Sequence, residues 1–117
     1  MHEDNQVQQI SDLEARIIGV VLGLTANERE AYGVPISEEL IRIEGREIAS
    51  GALYTSLSRL VEKKLLSVAT GPPTRQRGGR AKRLYEITVA GGRALRSWEA
   101  RTARLLTILR PAWSEKG

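Results

Sequence analysis

The chain has 117 residues, no cysteine and a net charge of +4. That length allows one domain with one modest core, and the absence of thiols excludes a disulfide framework and thiolate metal sites. The longest apolar run, Ile17 to Leu24, is shorter than the roughly 18 residues that cross a bilayer, the acidic start MHEDNQVQQISD is no secretory signal, and the lack of cysteine is neutral to weakly supportive of a cytosolic location.

Residues 1–10 read as a disordered tail. Ser11 and Glu14 form the S-x-x-E pattern of a capping box, and Asp12 adds favourable charge to the first turn. Leu13, Ile17, Val20, Val21 and Leu24 then recur at helical spacing, which predicts a first helix ending near Thr25–Asn27. Tyr32-Gly33-Val34-Pro35 opens a second helix, with Pro35 tolerated in the first turn. Its stripe is Ile36, Leu40, Ile41 and, at the margin, Ile43, and Gly45 is its natural stop.

Ser50 is the expected N-cap of a third helix. Leu53, Leu57, Leu60 and Val61 share its inner face. Gly51, Thr55, Ser58, Arg59 and Glu62 lie opposite, with Ala52, Tyr54 and Ser56 at the flanks. This outer face is small and polar near its start, so it can approach base edges closely, and its free amides favour phosphate.

Leu65 to Ala69 reads as a strand and Leu84 to Ile87 as its partner, with Tyr85 and Ile87 alternating against Glu86. Between them, Thr70 to Ala81 is too long for a tight hairpin turn and is broken by Pro72-Pro73 and Gly78-Gly79. It carries Arg75, Arg77 and Arg80, with Lys82 and Arg83 at its return, and no acid interrupts Gly71 to Leu84. Residues 1–47 hold ten acids and four arginines, a net −6, whereas residues 48–117 hold four acids and fourteen basic residues, a net +10. A basic Gly-rich loop in the basic half points to a polyanion.

Thr88 caps a final helix expected to reach Arg110, with Pro111 as its end. Leu95, Trp98, Thr102, Leu105 and Leu109 repeat every three or four residues, and Leu106 and Ile108 widen the stripe. This stripe could pack on the first helix of its own chain. Its width needs more cover than one short helix gives, so Leu13, Ile17, Leu95, Trp98, Thr102, Leu105 and Leu109 are the expected contacts of a homodimer. Trp113 would add a stray contact from a short tail, residues 113–117.

These elements are mainly α with a small β-ribbon. They make a winged helix-turn-helix over residues 11–88 and a C-terminal dimerisation helix over residues 89–112. Duplex DNA is the expected partner. Ser50, Tyr54, Thr55, Ser58 and Arg59 face the major groove, while Arg75, Arg77, Arg80, Lys82 and Arg83 meet phosphates or the minor groove. Tyr54 could instead pack under the wing, and Arg59 could serve a guanine edge, a phosphate or an internal ion pair. Trp98 could stack on a flat aromatic effector or be plain core.

An enzyme is not expected. His2, the only histidine, lies in the tail, so no Ser-His-Asp arrangement can assemble. No Cys/His cluster could hold a metal, and Gly78-Gly79 and Gly91-Gly92 make no nucleotide-binding fingerprint; no cofactor is implied. The main alternative is a winged helix used for protein–protein contact without DNA. The basic wing argues against it, and a membrane-surface role is disfavoured because these cations sit in a Pro/Gly loop.

The sequence resembles the PadR family of transcriptional regulators over about residues 13–110. The matching residues are Ala31-Tyr32-Gly33, Gly51-Ala52-Leu53-Tyr54 with Leu57-x-Arg59-Leu60, Lys64-Leu65-Leu66, and Arg80-x-Lys82-Arg83-x-Tyr85-x-Ile87-Thr88 followed by Gly91 or Gly92. In length the chain is similar to the short subfamily with one C-terminal helix. The resemblance implies a cytoplasmic homodimer that binds a palindromic operator, usually as a repressor, and that often answers to phenolic or drug-like molecules. The chain departs from the family in having Glu30-Ala31-Tyr32-Gly33 where His-Gly-Tyr-Gly is common, and in a longer, more Arg-rich wing.

Overall fold

The computed structural model describes residues 7–73 and 81–116. Four helices and one hairpin follow in the order α1 (Asp12–Ala26), α2 (Gly33–Glu44), α3 (Ser50–Glu62), β1 (Leu66–Pro73), β2 (Ala81–Ile87) and α4 (Val89–Lys116).

Helix α1 is the hub. Its capping box is formed as the S-x-x-E pattern predicts: the Glu14 amide donates to Ser11 Oγ at 3.1 Å, and the Ser11 amide donates to Glu14 Oε1 at 2.9 Å. More of α1 is buried than one stripe, because Ala15 and Ile18 are covered as well as Ile17, Val20, Val21 and Leu24. The helix touches α2, α3, β2 and α4. Ile17, Ile36, Leu40, Leu53, Leu57, Leu60 and Leu65 are each 0–2% exposed, and each fully buried aliphatic side chain contributes about 1.5–3 kcal/mol.

Element ends follow local chemistry with three departures. Helix α2 stops at Gly45, whose φ of 74° suits glycine. Helix α3 starts at Ser50, one residue earlier than an N-cap there would put it: Ala49 is the N-cap and gives no side-chain hydrogen bond. Strands β1 and β2 run further toward the loop than their apolar residues alone suggest, because antiparallel pairing continues from Leu66↔Ile87 to Thr70↔Arg83 and, after an irregularity, Pro73↔Ala81. Helix α4 does not end at Arg110; it passes through Pro111 to Lys116. Proline's fixed φ is itself helical, so the helix continues past one missing amide donor.

The wing stem is anchored at both ends of the core. The Tyr85 amide donates to Ala31 O at 2.8 Å, adding a rung beyond the two-stranded ladder. Thr88 joins the hairpin to α4: its hydroxyl donates to Lys64 O at 2.8 Å and accepts from the Gly91 amide at 2.9 Å.

The start of α1 is tied to the end of α3. Lys63 Nζ lies 2.8 Å from Glu14 Oε2, and Gln8 Nε2 donates to Lys63 O at 3.0 Å. Burial pushes the Glu14 carboxyl up. Hydrogen bonds from Lys63 and Ser11 and the Lys63 charge together outweigh it, and the group is held below its ordinary value of 4.5. A depressed carboxyl stabilises the fold above its unfolded pKa and loses that stabilisation as pH falls through the folded one. Glu14→Gln should therefore lower the melting temperature at pH 7 and flatten its fall below about pH 4.5; parallel melting curves for both proteins across that range would contradict the tie.

Candidate nucleic-acid interface

Helix α3 buries Leu53, Leu57 and Leu60, and this fixes which way its other face looks. Ser50, Tyr54, Thr55, Ser58 and Arg59 are all exposed on it. Tyr54, Thr55, Ser58, Arg59 and Glu62 line one shallow hollow. Glu62 puts a negative charge at its far end, so the part suited to a polyanion is the N-terminal half of the helix. No acid stands in the first turn and no side chain caps it, which leaves its leading amides open to a phosphate.

Tyr54 is 50% exposed. Its ring and hydroxyl rest on Gly33 at the start of α2, where a Cβ would collide with them. Sequence reading treated Gly33 as part of a helix start and missed this role. The signal that could have found it is a glycine where helix preference asks for a side chain.

In the wing, Arg83 is exposed on β2. Arg75, Arg77 and Arg80 lie outside the described residues. Lys82 departs from expectation: its ammonium is 2.9 Å from Glu30 Oε1 and 4.4 Å from the centroid of the Tyr32 ring. A cation already engaged by an acid and an aromatic face is poorly placed for a phosphate. The contact spans 52 residues of sequence, and no local pattern announces it.

The expected seam divides. Ala94 is buried, Leu95 and Trp98 pack against the core, and Trp98 Nε1 donates to Asp12 Oδ1 at 2.9 Å. This first half of α4 therefore lies on its own chain's α1. Beyond Thr102 the apolar face is uncovered, with Leu105 53%, Ile108 71% and Trp113 63% exposed; Leu109 is partly covered. Leu13 is partly buried against the core. Ile17 is 0% exposed and has no surface left for a partner, because the inner face of α1 is used by its own core.

Beside α1 runs a cavity of about 720 Å³ walled by Val20, Leu24, Ile43, Leu95 and Trp98. Its floor is Ala15, Gly19 and Gly23, spaced by four residues on one helix face, and a Cβ on either glycine would meet nothing. Ile43, read as marginal core, is 52% exposed at its edge. The rim arginines are held by acids, Arg16 on Glu44 at 2.8 Å and Arg42 on Glu39 at 2.7 Å. The A-x-x-x-G-x-x-x-G spacing is the sequence signal of this floor.

Among the described residues no three acids, histidines or cysteines gather as metal ligands, and no helix is long and apolar enough to cross a membrane.

Several solved structures share this fold. A PadR-like transcription factor from Bacteroides fragilis is 24% identical, with 86% of this chain and 88% of that one aligned at a TM-score of 0.68. A PadR-like transcriptional regulator from Bacillus cereus is 22% identical over 84% and 91%, at 0.61. A PadR family regulator from Clostridium difficile is 17% identical over 88% and 98%, at 0.63. No curated protein matches the chain. Residues 21–97 match the Transcriptional regulator PadR-like family, a family of DNA-binding regulators rather than enzymes, and the chain belongs to it.

Proposed function

We propose that the protein is a homodimeric repressor of the cytoplasm that binds a palindromic operator. The observation that carries this reading is the outer face of α3, exposed, polar and acid-free through its first three turns, beside a hairpin whose loop is basic. Tyr54, Thr55, Ser58 and Arg59 read base edges from the major groove, Ser50 and the leading amides of α3 take a phosphate, and Arg75, Arg77, Arg80 and Arg83 hold the flanking backbone. Two such units on a twofold axis place their α3 helices about 34–36 Å apart, which demands an inverted repeat. A dimer bound over a promoter blocks it, and repression follows.

The second subunit is called for by α4. Its uncovered stretch, Leu105 to Trp113, is an apolar helix face, and the small-residue floor of the cavity along α1 accepts a helix at close range. In the dimer the partner's α4 packs over that cavity. A flat aromatic effector would meet Trp98 on the same wall, and quenching of indole fluorescence by planar aromatics tests it; no quenching by any of them leaves Trp98 as packing alone.

Wing function is tested by salt. Arg77→Ala with Arg80→Ala should weaken binding to operator and random duplex alike, and should lower the slope of log affinity against log salt by about one per lost contact. An unchanged slope removes these arginines from the interface.

A further inference from the structure

One short segment holds both DNA-facing elements. Glu30 to Tyr32 ends the link between α1 and α2, and Gly33 opens α2. Glu30 pairs with Lys82 of β2 at 2.9 Å, and the Tyr32 ring lies under the same ammonium at 4.4 Å. Ala31, 2% exposed, accepts the Tyr85 amide of β2 at 2.8 Å. The next residue, Gly33, seats the phenol of Tyr54 from α3. Glu30, Ala31 and Tyr32 thus fix the wing stem, and the fourth residue fixes a side chain of the recognition helix. An ion pair with Glu30 half open to water holds little by itself; what these contacts set is direction and spacing.

We propose that Glu30–Gly33 is a positioning segment for operator readout. It sets the offset between the β2 stem and Tyr54 so that wing and α3 engage one duplex together, while touching no DNA itself. Lys82 on this account steadies the wing and binds no phosphate. The inference rests on the reading of α3 and the wing as the duplex-binding surface. Its signs differ from those of plain electrostatics. An acid that merely repelled DNA would, when neutralised, tighten binding to every sequence. A positioning acid, when neutralised, loosens the operator selectively.

The wild-type protein is first measured on its selected operator and on random duplex, at several salt concentrations. No binding to either defeats the functional reading itself. Given binding, Gly33→Ala is informative because the atoms it displaces are the free end of one side chain. The variant should fold, melt and dimerise as the wild type does. Its operator-to-random affinity ratio should fall about tenfold, the size of one lost base contact, with random binding unchanged. In a Tyr54→Ala background the same substitution should cost nothing further. Glu30→Gln and Lys82→Gln should each lower the ratio about threefold, as loss of a weak tether would, with the salt slope unchanged. The proposal is overturned if Gly33→Ala keeps the wild-type ratio or loses as much without Tyr54. It is also overturned if Glu30→Gln tightens binding to all sequences, or if Lys82→Gln lowers the salt slope by about one.

Discussion

Leu105→Glu should turn the dimer into monomers and lower operator affinity by about a hundredfold or more, because a linked second half-site multiplies affinity on that scale without any new contact. Leu105 is 53% exposed in a single chain, so the substitution leaves the core untouched and the monomer folded. A carboxylate in the centre of an apolar helix seam would be buried unpaired, which the assembly cannot accommodate. Sedimentation and binding should therefore change together. A Leu105→Glu protein that sediments as a dimer, or a monomer that binds the operator as tightly as the wild type, would remove α4 as the dimer seam. The split of α4 sharpens this test: Leu95 and Trp98, which already pack on their own chain, should affect folding more than association.

Gly91→Ala and Gly92→Ala, one residue apart, should have opposite effects on stability. A Cβ at Gly91 would run into the backbone carbonyl of Leu65, whereas a Cβ at Gly92 would meet nothing. The carbonyl belongs to the turn between α3 and β1, where the Thr88 amide also bonds to Leu65 O at 3.3 Å, so it cannot swing away as a side chain would. Overpacking of this kind costs about 2–3 kcal/mol, a large share of a marginal total, and should lower the melting temperature by about 10 °C. Gly92→Ala replaces glycine inside a helix and should raise stability by up to about 1 kcal/mol. Both are compared at one protein concentration, since the proposed dimerisation would add its own stability. Equal melting temperatures for the two variants would contradict the close approach of α4 to that turn.

Some of this was legible in the chain. The capping box at Ser11, the glycine stop at Gly45, the buried triad Leu53, Leu57 and Leu60, and the threonine cap of α4 are local physics, decided within a few residues. Pro111 misleads because proline's two effects oppose each other: it removes a donor, but its φ is already helical. The seam misleads because a continuous apolar stripe does not say which half lies on its own chain and which is left uncovered. Ile17 shows the same ambiguity in α1, where the inner stripe proved to be core. The contacts that shape the site were the least legible. Lys82 with Glu30 and Tyr54 on Gly33 join residues far apart in sequence, and charge or aromaticity alone names no partner. Lys82 counts as a free cation in composition and as one of a pair in space.

The central claim is a twofold-symmetric grip on duplex DNA by α3 and the wing. Selection of bound sites from a random duplex library tests it most directly. The account predicts enrichment of an inverted repeat whose half-site centres lie about 10–10.5 base pairs apart, or a multiple of that. A pool that shows no enriched sequence, or only a single unpaired half-site, would contradict it.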